Sequence, residues 1–425
     1  MSIKPLIEAI NSIAEGNFEP IKFSAEEEFA ELIEVLNKML GSLQKKMVEN
    51  ERQLDDKIFT LYALNYASKL IGSTLEMEEL LDVAINMLLE IAEMEKGSII
   101  LVEKNTSELV VEVIKEFDKV KYHGKRIDSN KGFLADIIKK GEPFFSNNIK
   151  EFQDVGDGLG VNIRSILSIP LMGKEAIIGV VNLYNHLNNK ELTQDDLNII
   201  YTLSSQVAVS IENAQLFSQI KELFFNTVKA LSATIDTKDS YTYGHSERVT
   251  QYSLAIAEEL GFNSKEKEDV QLAALLHDIG KIGLPDVILN KPAGLTDEEF
   301  AEIKQHPLKG SKILEHIKGL TTVIPGMQHH PEKFGGGGYP DGLKGEEIPL
   351  LGKIIAVADA YDAMTSDHSY RKRLSYDEAL KRIKDGAEIQ FDPKIVNIFV
   401  NLFEKGRIVE QNNKVILQLW VETSP

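Results

Sequence analysis

The chain has 425 residues, no cysteine and a net charge of −19. The length predicts roughly two to four domains with separate cores, and the lack of cysteine excludes disulfides and thiolate metal ligation. Its acidity excludes a sequence-independent nucleic-acid binder, which needs a basic face. No apolar run approaches the roughly 18–20 residues needed to cross a bilayer, and no apolar core of a signal peptide follows Met1-Ser2-Ile3-Lys4-Pro5. A soluble, cytoplasmic, multidomain protein is expected.

Residues 1–53 have a helical period, interrupted by Ala14-Glu15-Gly16-Asn17-Phe18-Glu19-Pro20. Ser24 and Glu27 make a capping box, and Phe29, Leu32, Leu36, Met39 and Leu43 then recur at helical spacing. A helix, a Gly/Pro-bearing connector and an amphipathic helix, with Pro5 and the Glu15–Phe18 turn, resemble a HAMP unit. Such units normally follow a transmembrane helix, so the resemblance implies a soluble variant or a membrane segment upstream of this chain. An ordinary helical hairpin has the same pattern.

Residues 54–216 switch to mixed α/β. Leu80–Ile91 is an apolar-periodic helix, and Gly97–Val102 and Leu109–Ile114 read as β-branched strands. Ser165–Leu171 and Ala176–Tyr184 form a later pair around Met172-Gly173-Lys174-Glu175. This stretch resembles a GAF domain, notably in Ser168-Ile169-Pro170-Leu171 and Gly179-Val180-Val181-Asn182-Leu183. The resemblance implies an antiparallel sheet with flanking helices and a sensory role, but no residue identifies the ligand. His123 and His186 stand alone and are expected in loops or on the surface. A helix capped by Thr193 and Asp196 carries Leu197, Ile200, Leu203, Val207, Ile211, Leu216, Ile220 and Leu223, with few breakers before about residue 234. A rod this long is expected to be a dimeric coiled coil, and with the HAMP-like start it implies a parallel homodimer.

Residues 217–425 carry the chemistry. Between His245 and Asp359 lie the pair His277-Asp278, then His306 and the pair His329-His330, in a chain of nine histidines. Adjacent His and Asp in an apolar run are not cheaply buried without a partner. Imidazoles with carboxylates suit Fe, Mn, Zn or Ni rather than Mg or Ca. A metal site is expected.

The motifs here, in order, are His277-Asp278-Ile279-Gly280-Lys281, Lys304-Gln305-His306-Pro307-Leu308-Lys309-Gly310, His329-His330, Gly338-Tyr339-Pro340, Val357-Ala358-Asp359, Thr365-Ser366-Asp367 and Tyr370-Arg371. Over about residues 225–410 they resemble the HD-GYP family of phosphodiesterases. The resemblance implies an all-helical domain that hydrolyses the second messenger cyclic di-GMP, to pGpG or GMP, with a metal-activated hydroxide. It also implies two transition-metal ions per chain, iron first and manganese next.

In one assignment His277, Asp278 and Asp359 hold one ion, Asp278 bridges, and His306, His329 and His330 hold the second, with His245 completing or flanking the cluster. Lys281, four residues after His277, is expected on the same helical face, binding a phosphate oxygen. Gly338, Tyr339 and Pro340 are expected to contact substrate through bare backbone and base stacking, and Arg371 to bind phosphate or a guanine edge. Lys372 and Arg373 are expected to be solvated.

Several departures from the family pattern stand out. Gly335 replaces a common aspartate, Pro331 a common glutamate and His368-Ser369 a common Arg-Pro. Counted back from Gly338, the histidine pair is displaced by one residue. Tyr241 occupies the position where some three-metal relatives carry an acid, which favours two ions. Two other functions fit the sequence: a catalytically weak cyclic di-GMP-binding module, or a hydrolase of another cyclic dinucleotide.

Overall fold

The computed structural model describes residues 4–14, 19, 33–51, 54, 76–103, 106, 108–116, 123–128, 132–147, 163–187, 191–238, 244–366, 372–411 and 414–417. The turn Glu15–Phe18, Ser24, Glu27, Phe29, Leu32, Tyr241, His368-Ser369 and Arg371 lie outside them. Two compact units, Met1–Gln219 and Ile220–Pro425, divide the chain.

The first unit begins with helices α1 (Lys4–Ala14) and α2 (residues 33–51). On α2, Val35, Met39, Leu43 and Met47 are exposed at helical spacing. Then come α3 (Met77–Ile91), β1 (Met94–Val102), β2 (Leu109–Lys115), β3 (Arg126–Ile127), α4 (Gly132–Lys140), β4 (Phe144–Ser146), β5 (Ile166–Met172) and β6 (Ile177–His186). The strands form one antiparallel sheet in the order β3-β2-β1-β6-β5-β4. Alternation along a strand puts successive residues on opposite faces. Ile99, Leu101, Leu167, Ile169, Val181 and Leu183 thus meet Leu80, Leu81, Ile85 and Leu88 of α3 in one core. This is the α/β layout the strand pattern predicts. One local expectation fails: His186 is buried in β6, where its Nδ1–H donates to the Leu187 carbonyl at 2.8 Å and its backbone N–H bonds Ser165. A lone histidine with a satisfied ring nitrogen needs no loop.

Helix α5 (Gln194–Lys238) starts where expected, with the Thr193 backbone N–H donating to Asp196 at 2.8 Å and the Asp196 N–H to the Thr193 hydroxyl at 3.3 Å. Leu197, Ile200, Leu203, Val207 and Ile211 join the core of the first unit. Val228 and Ile235 join that of the second. The unit boundary falls within this helix.

The second unit continues with α6 (His245–Glu259), α7 (Ser264–Leu276), a 3-10 turn (Ile279–Gly283), α8 (Asp286–Leu289), α9 (Asp297–Ile303), α10 (His306–Leu314), α11 (Val323–Gln328), α12 (Leu350–Thr365), α13 (Tyr376–Asp385) and α14 (Pro393–Glu404). It is largely helical, and a hairpin of β7 (Ile408–Gln411) and β8 (Lys414–Leu417) adds to the expected helices. Tyr252, Tyr361 and Phe399, all fully buried, stack edge to face at 5.1–5.8 Å and fasten α6, α12 and α14 together. Among the described residues no helix is long and apolar enough to cross a membrane.

Candidate metal centre

Helix α7 ends at Leu276, so His277 and Asp278 sit at a break rather than mid-helix. Asp278 has φ −98° and ψ 4°, and the chain tightens into the 3-10 turn behind it. The break is held by close approach. A Cβ on Gly280 would lie 1.8 Å from the His306 carbonyl, so only glycine lets this turn rest on the start of α10. That contact brings Asp278 to His306.

Four histidines converge there, each with its Nδ1 satisfied from behind. Nδ1–H of His277, His306 and His330 donates to the carbonyls of Ala274, Ile303 and Met327 at 2.7–2.8 Å. A carbonyl only accepts, so the proton is on Nδ1 and the Nε2 lone pair faces inward. His245 Nδ1 is 2.7 Å from the Asp362 carboxylate instead. Asp278 Oδ1 lies 3.4 Å from His306 Nε2, and its Oδ2 lies 3.5 Å from His277 Nε2 and 3.9 Å from that of His245. One carboxylate thus turns its two oxygens toward different histidines. His245, His277 and Asp359 can offer ligand atoms within 4.8 Å of one another, as can His277, Asp278 and His330.

This donor set fits transition-metal ions. His306 Nε2 is buried with no hydrogen-bond partner, an arrangement that costs free energy unless an electron-pair acceptor is bound. Charge supports the same conclusion. Burial opposes the ionised form of Asp278, yet Lys281 and the surrounding histidines hold its pKa well below the usual carboxylate range. Burial and the neighbouring His277 and His306 push His330 down to about 3, leaving its ring neutral. At His245 burial disfavours charge, but Asp359 and Asp362 outweigh it and push the pKa up to about 10.

His329 does not join the cluster. Its Nδ1–H donates to the Pro325 carbonyl at 2.7 Å and its Nε2 is 2.8 Å from Asp341, so both ring nitrogens are engaged elsewhere. Lys281 corrects a second expectation. With the helix ended at Leu276, it pairs with Asp278 at 2.7 Å rather than following His277 along one helical face.

His245, Asp278, His306, His330 and Asp359 help line a cavity of about 670 Å³, together with Arg248, Lys281, Lys291, Phe300 and Tyr339. Gly338 and Pro340 are not in that lining. Gly338 serves packing instead, since a Cβ would meet the Lys333 backbone nitrogen at 2.4 Å. Burial and the nearby Asp278 and Asp359 push the Tyr339 phenol up to about 12, so it stays neutral.

Three residues escaped the motif reading. Asp362, almost fully buried, bonds His245 and also accepts a forked pair from Arg248, Nε at 2.6 Å and a terminal nitrogen at 3.0 Å. Its signal was a second aspartate one helical turn after Asp359. Glu332 is buried, and one of its oxygens accepts from the backbone N–H groups of Asp341 and Gly342 at 2.8 and 2.9 Å, which pins the loop bearing Tyr339.

Comparison with known proteins places these features in families. The GAF-domain profile matches residues 74–212 and an HD-domain profile matches residues 229–395. The chain therefore joins a GAF domain to an HD domain. A cyclic di-GMP phosphodiesterase of Thermotoga maritima is 40% identical over 192 residues, 44% of this chain and 52% of that protein. One of Pseudomonas aeruginosa is 36% identical over 233 residues, 50% of this chain and 56% of the relative. A 3′3′-cGAMP-specific phosphodiesterase of Vibrio cholerae is 34% identical over 191 residues, 45% and 42% of the two chains. The chain spans about half the length of these curated relatives.

Proposed function

We propose that this chain is a metal-dependent phosphodiesterase that hydrolyses cyclic di-GMP. The observation that carries the reading is the convergence of four inward Nε2 atoms and two carboxylates beside a cavity that Lys281 also lines. The names of the relatives supply the substrate class. Two ions per chain, iron first and manganese next, are the cofactors in this reading, and a donor set of imidazoles and carboxylates suits those metals. When bound, they supply a nucleophilic hydroxide from water and offset charge on the phosphoryl oxygens.

The chain's own groups do the rest. Asp278, ionised, turns one oxygen toward His306 and the other toward His277, as a bridging carboxylate would. Lys281 presents an ammonium to a non-bridging phosphate oxygen, Tyr339 offers a neutral ring and hydroxyl to a base, and Arg248, braced by Asp362, adds positive charge to the wall. These cations answer the difficulty of an acidic chain binding an anionic dinucleotide. The GAF domain regulates the site through α5, and the exposed Leu216, Ile220 and Leu223 form the seam of a parallel homodimer. An internal second messenger as substrate puts the active site in the cytoplasm.

The test incubates anaerobically prepared protein, loaded with Fe²⁺ or Mn²⁺, with cyclic di-GMP and with 3′3′-cGAMP. Linear products from cyclic di-GMP are expected, and Lys281→Ala should keep its metal but lose about 10–1000-fold in turnover, as for one deleted electrostatic contact. Cleavage of 3′3′-cGAMP alone would reassign the substrate, and tight binding without cleavage would make the domain a receptor.

A further inference from the structure

The last turn of α5 is bonded to two segments, one carrying His245 and the other Lys281. Asp236 is buried, and its carboxylate accepts from the Ser246 backbone N–H at 3.2 Å and the Ser246 hydroxyl at 2.7 Å. Ser246 follows His245 in the first turn of α6. Two residues beyond Asp236, the Lys238 ammonium donates to the carbonyls of Lys281, Ile282 and Leu284 at 3.2, 2.9 and 2.7 Å, and stands 3.3 Å from Asp286. The Lys238 carbonyl accepts from the Asn290 side chain at 3.0 Å, next to the cavity-lining Ile288 and Leu289.

A lysine near a helix C-terminus commonly serves that helix's own last carbonyls. Lys238 serves those of Lys281 and Ile282 in the 3-10 turn and of Leu284 just after it. An ammonium has three donors, and three carbonyls fix its position where one would leave it free to swing. His245 and Lys281 approach Asp278 from different segments, yet both segments are held by the same helical turn.

We propose that Asp236 and Lys238 are positioning residues that set the spacing of the His245 and Lys281 sides of the site, so that displacement of the last turn of α5 changes catalysis without removing a ligand. The substrate in this proposal rests on the phosphodiesterase reading; the coupling does not.

The experiment compares the full chain, Lys238→Met, Lys238→Arg and Asp236→Asn, each loaded with Mn²⁺, on cyclic di-GMP and on the generic diester bis(p-nitrophenyl) phosphate. Mn²⁺ stoichiometry and amide exchange over residues 245–250 and 279–290 are read alongside. Lys238→Met should lower kcat about 10-fold with KM changed less than about twofold, since small misplacement of a charged group acts mainly on the transition state. Its Mn²⁺ content should match the parent and exchange over 279–290 should rise about fivefold or more. Lys238→Arg should recover part of the loss, and Asp236→Asn should speed exchange over 245–250. An unchanged kcat, or a loss that only tracks lost Mn²⁺ or lost folded protein, overturns the proposal. A chain that cleaves the generic diester but no cyclic dinucleotide ends the substrate reading and leaves the coupling to be judged on that diester. For a chain inactive toward both, unchanged exchange in both segments overturns the coupling.

Discussion

At the scale of single residues, Asp278 and Asp362 are expected to act on metal differently, and measurement separates them. Asp278 turns an oxygen toward each side of the cluster, so Asp278→Ala should lose more metal than replacement of any one histidine. Elemental analysis of the purified variant checks this, and full occupancy would refute the bridging role. Asp362 meets the cluster only through His245 and Arg248. Asp362→Asn should therefore weaken metal binding by about 10–100-fold, as second-layer partners do, and excess Mn²⁺ should restore most activity. Unchanged affinity would reduce Asp362 to an anchor for Arg248. The convergence of these residues was legible in the His-Asp pair, because burying such neighbours calls for partners. The failure of His329 was not, because its rival partner Asp341 is twelve residues away on a loop.

At the scale of elements, the local rules were most readable where chemistry and period agree. The Thr193/Asp196 cap and the β-branched strands needed no tertiary information. The break after Leu276 was invisible, because Leu275 to Gly280 reads as a continuous apolar helix with two polar residues in it. What ends the helix is the seat of Gly280 on the His306 carbonyl, a contact between segments far apart in sequence. Gly280→Ala should destabilise the unit by about 1–3 kcal/mol, the usual cost of overpacking, and loosen metal as Asp278 retreats from His306. Urea unfolding with and without Mn²⁺ measures both, and wild-type values for each would show that the turn yields easily.

At the scale of the whole molecule, the sequence showed that one helix passes from the GAF to the HD domain, and hid how it ends. Its period predicted a seam. The exposed Leu216, Ile220 and Leu223, at 42, 66 and 68% accessibility, are consistent with one. The contacts of Asp236 and Lys238 had no such signal, since two charged residues near a helix end look solvated. If α5 transmits signals as part of a dimer, a four-residue insertion near Gln219 turns the rest of the helix by about 40° and disturbs the heptad seam, whereas seven residues largely restore it. Basal hydrolysis should change strongly in the first variant and little in the second. Equal rates in both and in the parent would mean that the domains are only tethered.

The centre is assembled from segments that begin at His245 and end at Asp359, and this sets an order of events during synthesis. If these residues hold the metal, the first of them leaves the ribosome roughly 115 residues before the last, which at about 5–20 residues per second is roughly 6–23 seconds. Until Asp359 emerges and α12 packs on α6, the nascent chain offers only scattered imidazoles, which discriminate poorly among the cell's divalent ions. Selection of the correct metal therefore belongs to the folded protein, after translation. Chains folded in a metal-depleted extract should acquire Mn²⁺ or Fe²⁺ afterwards without unfolding.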